Sequence, residues 1–376
     1  MPTRRLSLIL PLLALPSLWG CGDSAPAGPP PVSDEAMAAV SKEPGIDREK
    51  LARAVDSLFA DEDAIGETHA VVVIRGGEIV AERYGDGFSK DTRFLGWSMA
   101  KTVTGVLIGL LVSDGRLRLN ESAPVPRWQR PGDPRGEITL RQLLQMRSGL
   151  RHAEVTDPVG DADTVRMLFL DGRDDMSAYA ESQPLEAEPG RKFEYSSAST
   201  IILADTAAHA LTDRRDPAVR RRIVSEYLRT RLFEPAGMTS MVAEFDAAGT
   251  MIGSSMIHAT ARDWGKFGEY LRHGGSVKGA QLIPRGWIDF MKTPGPRNKA
   301  YGAQLWLNRP SSEGEDMLFP GKAPEDLFAA IGHLGQYVIV SPGQRLTVVR
   351  LGHTEDAKRG ALRARLSDLV ALFPKS

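Results

Sequence analysis

Residues 97–112, WSMAKTVTGVLIGLLV, contain the only Ser-x-x-Lys motif in the chain, Ser98 to Lys101, directly after Trp97. The rest of the segment is apolar on nearly every helical face, which predicts a buried helix over Met99 to Val112. Residues three apart share one helix face, so the Lys101 amine can reach the Ser98 hydroxyl. Burial lowers the pKa of an ammonium and lets it act as a base. Alone, the motif also fits a serine helix cap followed by a surface lysine.

Apolar, β-branched runs near both ends of the chain predict strands. Residues 70–74 and 78–84 flank Gly76-Gly77 and predict a hairpin. Residues 337–340 and 346–351 flank a turn and predict a second strand pair. Because the region between is mostly helix and loop, we expect both ends to meet in one sheet. Helical spacing is found in three further segments, residues 46–59, 140–146 and 361–373.

Two more motifs follow the Ser-x-x-Lys segment, Tyr195-Ser196-Ser197 and His333-Leu334-Gly335. In this order the three motifs resemble the active-site motifs of the serine β-lactamase and penicillin-binding-protein superfamily. The similarity is closer to the class C-like branch, which includes 6-aminohexanoate-oligomer hydrolases and related esterases. The resemblance covers roughly residues 60 to 372 and includes residues 97–101, 143–150, 259–264, 301–306 and 332–336.

The resemblance implies an α+β, β-lactamase/transpeptidase-like fold, in which helices flank a mainly antiparallel sheet and a helical subdomain is inserted. We expect the hydrolase domain at 46–376. Its α/β part would comprise about 46–95 and 325–376, and its helical part about 96–324.

The resemblance also implies roles for individual residues. Ser98 would attack a carbonyl carbon and become acylated, while Lys101 takes the hydroxyl proton. Tyr195 would pass a proton to the leaving group, and a neighbouring cation would lower the pKa of its phenol. Ser197 would bind Lys101 or the substrate.

The third motif would contribute to substrate binding. By family analogy, the backbone N–H groups of Ser98 and Gln336 would form an oxyanion hole. His333 would hold a substrate carboxylate or amide at the strand edge, beside Gly335.

Two departures from the superfamily bear on the substrate. His333 replaces the lysine of true β-lactamases, which weakens the attraction for a carboxylate at neutral pH. The loop at residues 151–155 lacks the tyrosine that nylon-oligomer hydrolases often have there. We therefore expect linear amides, esters or D-amino-acid peptides as substrates. His258 is a possible cleft residue or part of a helix-capping loop.

Three alternatives remain. The first is a β-lactamase or penicillin-binding DD-peptidase. The second is a catalytically silent lipoprotein of this fold that senses a ligand or acts as a scaffold; the complete set of Ser98, Lys101 and Tyr195 argues against it. The third is an α/β-hydrolase, because residues 96–100 differ by one residue from Gly-x-Ser-x-Gly. That fold would leave Lys101 unexplained and lacks the required β/α alternation.

Composition excludes other classes of function. The 47 basic and 48 acidic residues give a net charge of -1, which argues against nucleic-acid binding. A single cysteine rules out a disulfide framework and a cysteine-based zinc site. No metal or nucleotide motif occurs, so we expect no cofactor and no metal, and a small-molecule amide or ester as the binding partner.

The first 45 residues are predicted to be a targeting region. Residues 1–20 combine two arginines with a short apolar run, as in a signal peptide. The run ends at Cys21, which resembles the lipidated cysteine of a bacterial lipoprotein. Residues 21–45 are rich in Pro, Ala, Ser and Gly, and are predicted to be a tether. We therefore expect an exported protein with a lipid anchor in the cell envelope, facing the periplasm, with the outer membrane slightly favoured.

Overall fold

The computed structural model describes residues 31–312 and 314–375, so the predicted signal peptide and Cys21 lie outside the described residues. The strands are β1 (Glu67–Arg75), β2 (Glu78–Tyr84), β3 (Arg93–Leu95), β4 (Val242–Ala243), β5 (Ile257–Thr260), β6 (Ser276–Val277), β7 (Ala280–Gln281), β8 (Trp306–Leu307), β9 (Phe328–Gly332), β10 (Gln336–Ser341) and β11 (Leu346–His353). The α-helices are α1 (Asp34–Ala38), α2 (Arg48–Ser57), α3 (Glu62–Ile65), α4 (Met99–Ser113), α5 (Leu140–Leu144), α6 (Asp163–Phe169), α7 (Met176–Glu181), α8 (Ser197–Leu211), α9 (Pro217–Leu228), α10 (Ala261–Arg272), α11 (Arg285–Met291) and α12 (Arg359–Ala371).

Strands from both ends of the chain form one six-stranded sheet, in the order β2-β1-β11-β10-β9-β8. All neighbouring strands in it are antiparallel. In the centre, β1 pairs with β11 so that Val72 faces Val349. The predicted meeting of the two chain ends in one sheet is confirmed, as is the α+β fold class.

Helices cover both faces of this sheet because the side chains of β1 alternate between two apolar clusters. Val71 and Val73 pack on one side with residues of α2 and α12. Ala70 and Val72 pack on the other side with residues of α4, α8 and α10. The resulting α/β/α arrangement buries the sheet on both faces, as its apolar composition requires.

Helix α4 is buried along nearly its whole length, as predicted from its apolar residues. Its two buried threonines are satisfied by backbone carbonyls from other segments. Thr102 donates to the carbonyl of Gln304 at 2.7 Å, and Thr104 donates to the carbonyl of Gly253 at 2.9 Å. These bonds join α4 to the neighbouring loops and fix the helix that begins at the predicted nucleophile.

Three details differ from the sequence prediction. Part of the predicted tether folds: α1 is capped by Ser33, and Val40 is buried and bridged to Ala81. Small apolar residues, Ala36 and Val40, are buried there, so a segment rich in Pro, Ala, Ser and Gly still contributes to the core. The region predicted as helix and loop contains a second sheet, in the order β3-β5-β4, and β8 joins the main sheet.

No helix in the described part of the chain has both the length and the apolar character needed to cross a membrane.

Candidate active site

Ser98 immediately precedes helix α4, where two segments approach very closely. Trp97 has a φ of +48°, a left-handed conformation that turns the chain into the helix. A Cβ atom on Gly96 would lie 2.3 Å from the Trp264 ring, and one on Gly332 would lie 2.2 Å from the carbonyl oxygen of Gly96. Only glycine permits these contacts, which bring the end of β9 against the segment that carries Ser98.

Lys101 lies one helical turn after Ser98, and its side chain is only 2% exposed. Its Nζ is 3.0 Å from Ser98 Oγ, 2.9 Å from Ser197 Oγ and 3.1 Å from the carbonyl oxygen of Ser254. Burial lowers the pKa of Lys101 to about 8, and the charge of Glu154 opposes that decrease. A large fraction of Lys101 is therefore neutral near pH 8 and can accept a proton from Ser98.

Tyr195 flanks the same group from a loop. Its ring centroid is 4.9 Å from Lys101 Nζ, and the ring stacks on that of Trp306 at 5.4 Å. Burial, followed by the charge of Glu154, raises the pKa of Tyr195, while hydrogen bonding with Ser98 opposes the rise. The expected decrease in the tyrosine pKa is therefore wrong, because burial and the charge of Glu154 outweigh the hydrogen bonds with Ser98 and Trp306, which would lower it. At neutral pH Tyr195 is a protonated phenol that can donate.

The carboxylate of Glu154 is the main component that sequence reasoning missed. It accepts hydrogen bonds from the Ser197 hydroxyl at 2.7 Å and from the Ser197 backbone N–H at 2.8 Å. Its Oε1 lies 3.9 Å from Lys101 Nζ. Burial would raise the Glu154 pKa, but the charge of Lys101 and hydrogen bonds from His152 and Ser197 hold it well below its usual range. The carboxylate is therefore ionised.

The third motif forms the tight turn between β9 and β10. Gly332 and Gln336 face each other across the hairpin, so His333 and Gly335 lie in the turn. His333 is exposed and packs edge-on against Trp97, with 5.4 Å between ring centroids. Although the residue as a whole is exposed, partial desolvation of its ring, together with the charge of Arg359, lowers the pKa of His333. The imidazole is therefore mainly neutral at neutral pH.

Gln336 braces this turn from behind. Its side-chain amide donates to the carbonyls of His333 at 3.0 Å and of Gly352 at 2.6 Å. The buried Arg350 donates to the carbonyl of Gly335 at 2.9 Å. The side chain of Gln336 is thus committed to the fold, and the oxyanion role of its backbone N–H stays a prediction.

A cavity of about 260 Å³ opens directly onto Ser98. Tyr195, His333 and Gly335 line it together with Ser98, whereas Gln336 does not. Its walls are largely apolar and include Val155, Trp306, Met317, Ile331 and Tyr337. A second cavity of about 880 Å³ shares Glu154, Val155, Tyr195, Trp306, Met317 and Arg359 with it and contains more charged groups. Together they can hold an elongated ligand with its reactive bond at Ser98.

His258 is not part of this arrangement. It lies on β5 and pairs with Glu244, whose Oε1 is 2.6 Å from its Nε2. Neither His258 nor Glu244 lines the two cavities. Among residues 31–312 and 314–375, no cluster of three or more His, Cys, Asp or Glu side chains suits a metal ion.

The chain is similar to several proteins that are named as hydrolases. A 6-aminohexanoate-dimer hydrolase of Paenarthrobacter ureafaciens is 28% identical over 239 residues, which cover 61% of this chain. The match spans only 58% of that relative's length.

Two solved structures show the same fold. A candidate 6-aminohexanoate-dimer hydrolase from Bacillus anthracis has a TM-score of 0.67 at 20% identity, covering 85% of this chain and 83% of that one. A family VIII carboxylesterase has a TM-score of 0.62 at 16% identity, covering 88% and 97%. These likenesses support the β-lactamase/transpeptidase-like fold. The sequence model of the Beta-lactamase family matches residues 55–372, and the chain therefore belongs to the β-lactamase family.

Proposed function

We propose that this protein is a serine hydrolase that cleaves an amide or ester bond through an acyl-enzyme on Ser98. The strongest support is the contact of 3.0 Å between Ser98 Oγ and the Nζ of a buried lysine. Burial brings the pKa of Lys101 to about 8, so it can serve as a base without a metal ion. The cavity on Ser98 gives a carbonyl substrate access to the hydroxyl.

In the first half-reaction, Ser98 Oγ forms a bond to the carbonyl carbon and its proton moves to Lys101 Nζ. The tetrahedral intermediate then breaks its bond to the leaving nitrogen or oxygen. That atom takes the phenol proton of Tyr195, and Tyr195 regains a proton from the Lys101 ammonium. The raised pKa of Tyr195 keeps the phenol protonated, as donation to a leaving group requires.

In the second half-reaction, water attacks the Ser98 ester. A proton from the water passes to Lys101, the bond between Ser98 Oγ and the acyl carbon breaks, and the serine oxygen takes that proton back from the Lys101 ammonium. The products are a carboxylic acid and the free enzyme. Lys101 and Tyr195 return to their starting protonation states, so the cycle is balanced.

The preferred substrates are linear amides, esters or D-amino-acid peptides rather than β-lactams. The mainly neutral His333 offers no fixed positive charge for the carboxylate of a β-lactam. The curated relative is named for a linear amide dimer, and the apolar walls beside Ser98 suit an aliphatic chain.

A substrate screen tests this function. Purified protein and its Ser98→Ala variant should be assayed with p-nitrophenyl esters, 6-aminohexanoate dimer, short D-peptides and nitrocefin. We expect turnover of at least one linear ester or amide by the native protein and none by the variant. Turnover of nitrocefin alone would favour the β-lactamase alternative, and no turnover at all would favour the scaffold alternative.

We also propose export and lipid attachment at Cys21, on the basis of the N-terminal sequence. Cells that express the full chain should be grown with radiolabelled palmitate. The protein should carry label and remain in the membrane fraction, whereas Cys21→Ser should carry none. An unlabelled native protein would contradict the anchor without affecting the proposed chemistry.

A further inference from the structure

A continuous row of polar contacts connects the proposed nucleophile to a carboxylate in the helical part. Ser98 Oγ lies 3.0 Å from Lys101 Nζ, which lies 2.9 Å from Ser197 Oγ. The Ser197 hydroxyl in turn donates to Glu154 Oε1 at 2.7 Å. Four residues from three separate segments therefore share one hydrogen-bonded row.

The donors and acceptors in this row fix the direction of each proton. An ionised carboxylate only accepts, so the hydroxyl hydrogen of Ser197 points at Glu154 and its lone pairs face Lys101. The carbonyl oxygen of Ser254, 3.1 Å from Lys101 Nζ, can also only accept. A neutral lysine has two N–H groups and one lone pair. If Ser197 and Ser254 each accept one N–H, the lone pair is left for Ser98.

Glu154 is held firmly enough to impose this direction. Its second carboxylate oxygen, Oε2, accepts from the Ser197 backbone N–H at 2.8 Å and from the Thr164 hydroxyl at 2.9 Å. The same oxygen lies 2.8 Å from Nε2 of the buried His152. The carboxylate side chain itself is only 22% exposed. Contacts on both oxygens prevent the group from rotating away from Ser197.

From this geometry we infer that Glu154 is a positioning residue, which acts through Ser197 to direct the lone pair of neutral Lys101 at Ser98. The inference rests on the proposed function, because it concerns the base of that reaction. Glu154 need not touch the reacting atoms for this role. It fixes which atom donates and which atom accepts in the hydrogen bonds between Ser197, Lys101 and Ser98.

The charge of Glu154 has a second, measurable consequence. It lies 3.9 Å from Lys101 Nζ and favours the protonated lysine. Other ionisable groups near this pair include Tyr195, Tyr301, His152 and His333, and Arg359 lines the same cavity as Glu154. Removing the carboxylate charge should therefore lower the Lys101 pKa. It should also leave the lone pair of neutral Lys101 without a fixed direction.

The experiment compares Glu154→Gln with the native enzyme in the pH dependence of kcat/KM for a responsive ester. In glutamine, an N–H₂ group replaces one of the two carboxylate oxygens. That N–H₂ group therefore faces at least one of the groups that now donate a hydrogen bond to Glu154. If the N–H₂ group faces the Ser197 hydroxyl, that hydroxyl turns and donates its hydrogen bond to the lone pair of Lys101, which is then no longer free to accept the Ser98 proton. We expect the plateau of kcat/KM to fall by roughly 10- to 100-fold. The midpoint of the acid limb should move down by about one pH unit.

Two further variants keep the test interpretable. Glu188→Gln is the matched control, because this exposed carboxylate pairs with Arg191 at the surface, away from the site, and should leave rate and midpoint unchanged. Ser197→Ala interrupts the same row of hydrogen bonds, because it removes the hydroxyl between Lys101 and Glu154. Combined with Glu154→Gln, it should cost little more than the worse single variant, because the two residues act as one unit.

An unchanged acid-limb midpoint with a plateau within about twofold of native would overturn the inference. Fully multiplicative losses in the double variant would overturn it as well. If Glu154→Gln fails to fold, Glu154→Asp provides the test: it keeps the charge and midpoint, and the shorter side chain should lower the plateau. Loss of the proposed function itself is recognised separately, by native protein that does not acylate at Ser98.

Discussion

Gly332 lies so close to Gly96 that a Cβ atom on it would come within 2.2 Å of the Gly96 carbonyl oxygen. This contact joins the end of β9 to the segment that carries Ser98. Since β9 leads directly into the turn of His333 and Gly335, it also fixes that turn relative to the nucleophile. The proposed site therefore depends on one backbone approach between two distant parts of the chain.

Gly332→Ala should push β9 away from Ser98. We expect kcat/KM to fall by roughly 10- to 100-fold, and the free energy of unfolding to fall by about 1–3 kcal/mol through overpacking. Kinetics and urea unfolding of the purified variant provide the two measurements. Gly286→Ala is the control, because a Cβ there would meet nothing within 4 Å. Native kinetics in Gly332→Ala would show that the approach does not matter to the site.

Lys101 and Tyr195 should behave as one proton-transfer unit. We expect Lys101→Ala and Tyr195→Phe each to lower kcat by about 10²–10⁴-fold, the usual scale of positioned acid–base catalysis. The double variant should fall little further, because residues that act together are strongly non-additive. A double-mutant cycle on one ester provides the measurement. Multiplicative losses would mean that the two residues act independently and would remove the proton relay.

The acid limb of the pH profile of kcat/KM should follow the deprotonation of Lys101. Its pKa of about 8 means that the neutral base accumulates as pH rises through that value, so kcat/KM should increase and then level off. Because the pKa of Tyr195 is raised, its phenol should stay protonated across this limb. The measurement is kcat/KM between about pH 6 and about pH 10. A rate that does not vary across this range would contradict the assignment of the base.

Glu181 should make folding stability depend on pH. Burial, reinforced by the charge of Asp205, raises its pKa from 4.5 to about 7. For a carboxyl group with a raised pKa in the folded state, the folded protein binds more protons than the unfolded chain between these values. The stabilising contribution is thus complete below about pH 4.5 and lost as pH rises through about 7.

Glu181→Gln keeps the shape and removes the titration. Compared with native protein, the variant should gain stability between about pH 5 and about pH 8, by at most about 3 kcal/mol. Urea unfolding at the two pH values measures this difference. Equal pH dependence in native and variant proteins would rule out Glu181 as the source. Glu188→Gln, at an exposed position, should show the native dependence.

Local geometry made part of this site predictable from sequence. The spacing of Ser98 and Lys101 on one helix requires their contact, whatever the rest of the fold does. The apolar runs likewise predict the long strands β1, β10 and β11, because such segments must be buried. The two-residue strands β4 and β8 are too short to show any periodicity, so neither the second sheet, which contains β4, nor the β8 edge of the main sheet is predictable from sequence.

Tertiary packing determined what the sequence could not show. Glu154 lies in a loop with no local signature, and it meets Ser197 only because two segments 43 residues apart fold together. The error in the Tyr195 pKa follows from the same omission, since the nearby carboxylate and burial were not foreseen. The oxyanion role of the Gln336 backbone N–H rests on family analogy and stays a prediction; what the sequence could not show is that its side chain supports the turn.

The most direct test of the account is a covalent adduct on Ser98. Native protein, Ser98→Ala and Glu188→Gln should each be treated with a fluorophosphonate and analysed by intact-mass and peptide mass spectrometry. We predict one adduct per chain in the native protein and in Glu188→Gln, located on Ser98, and none in Ser98→Ala. An adduct on another residue, or ester turnover that persists unchanged in Ser98→Ala, would contradict the acyl-enzyme mechanism.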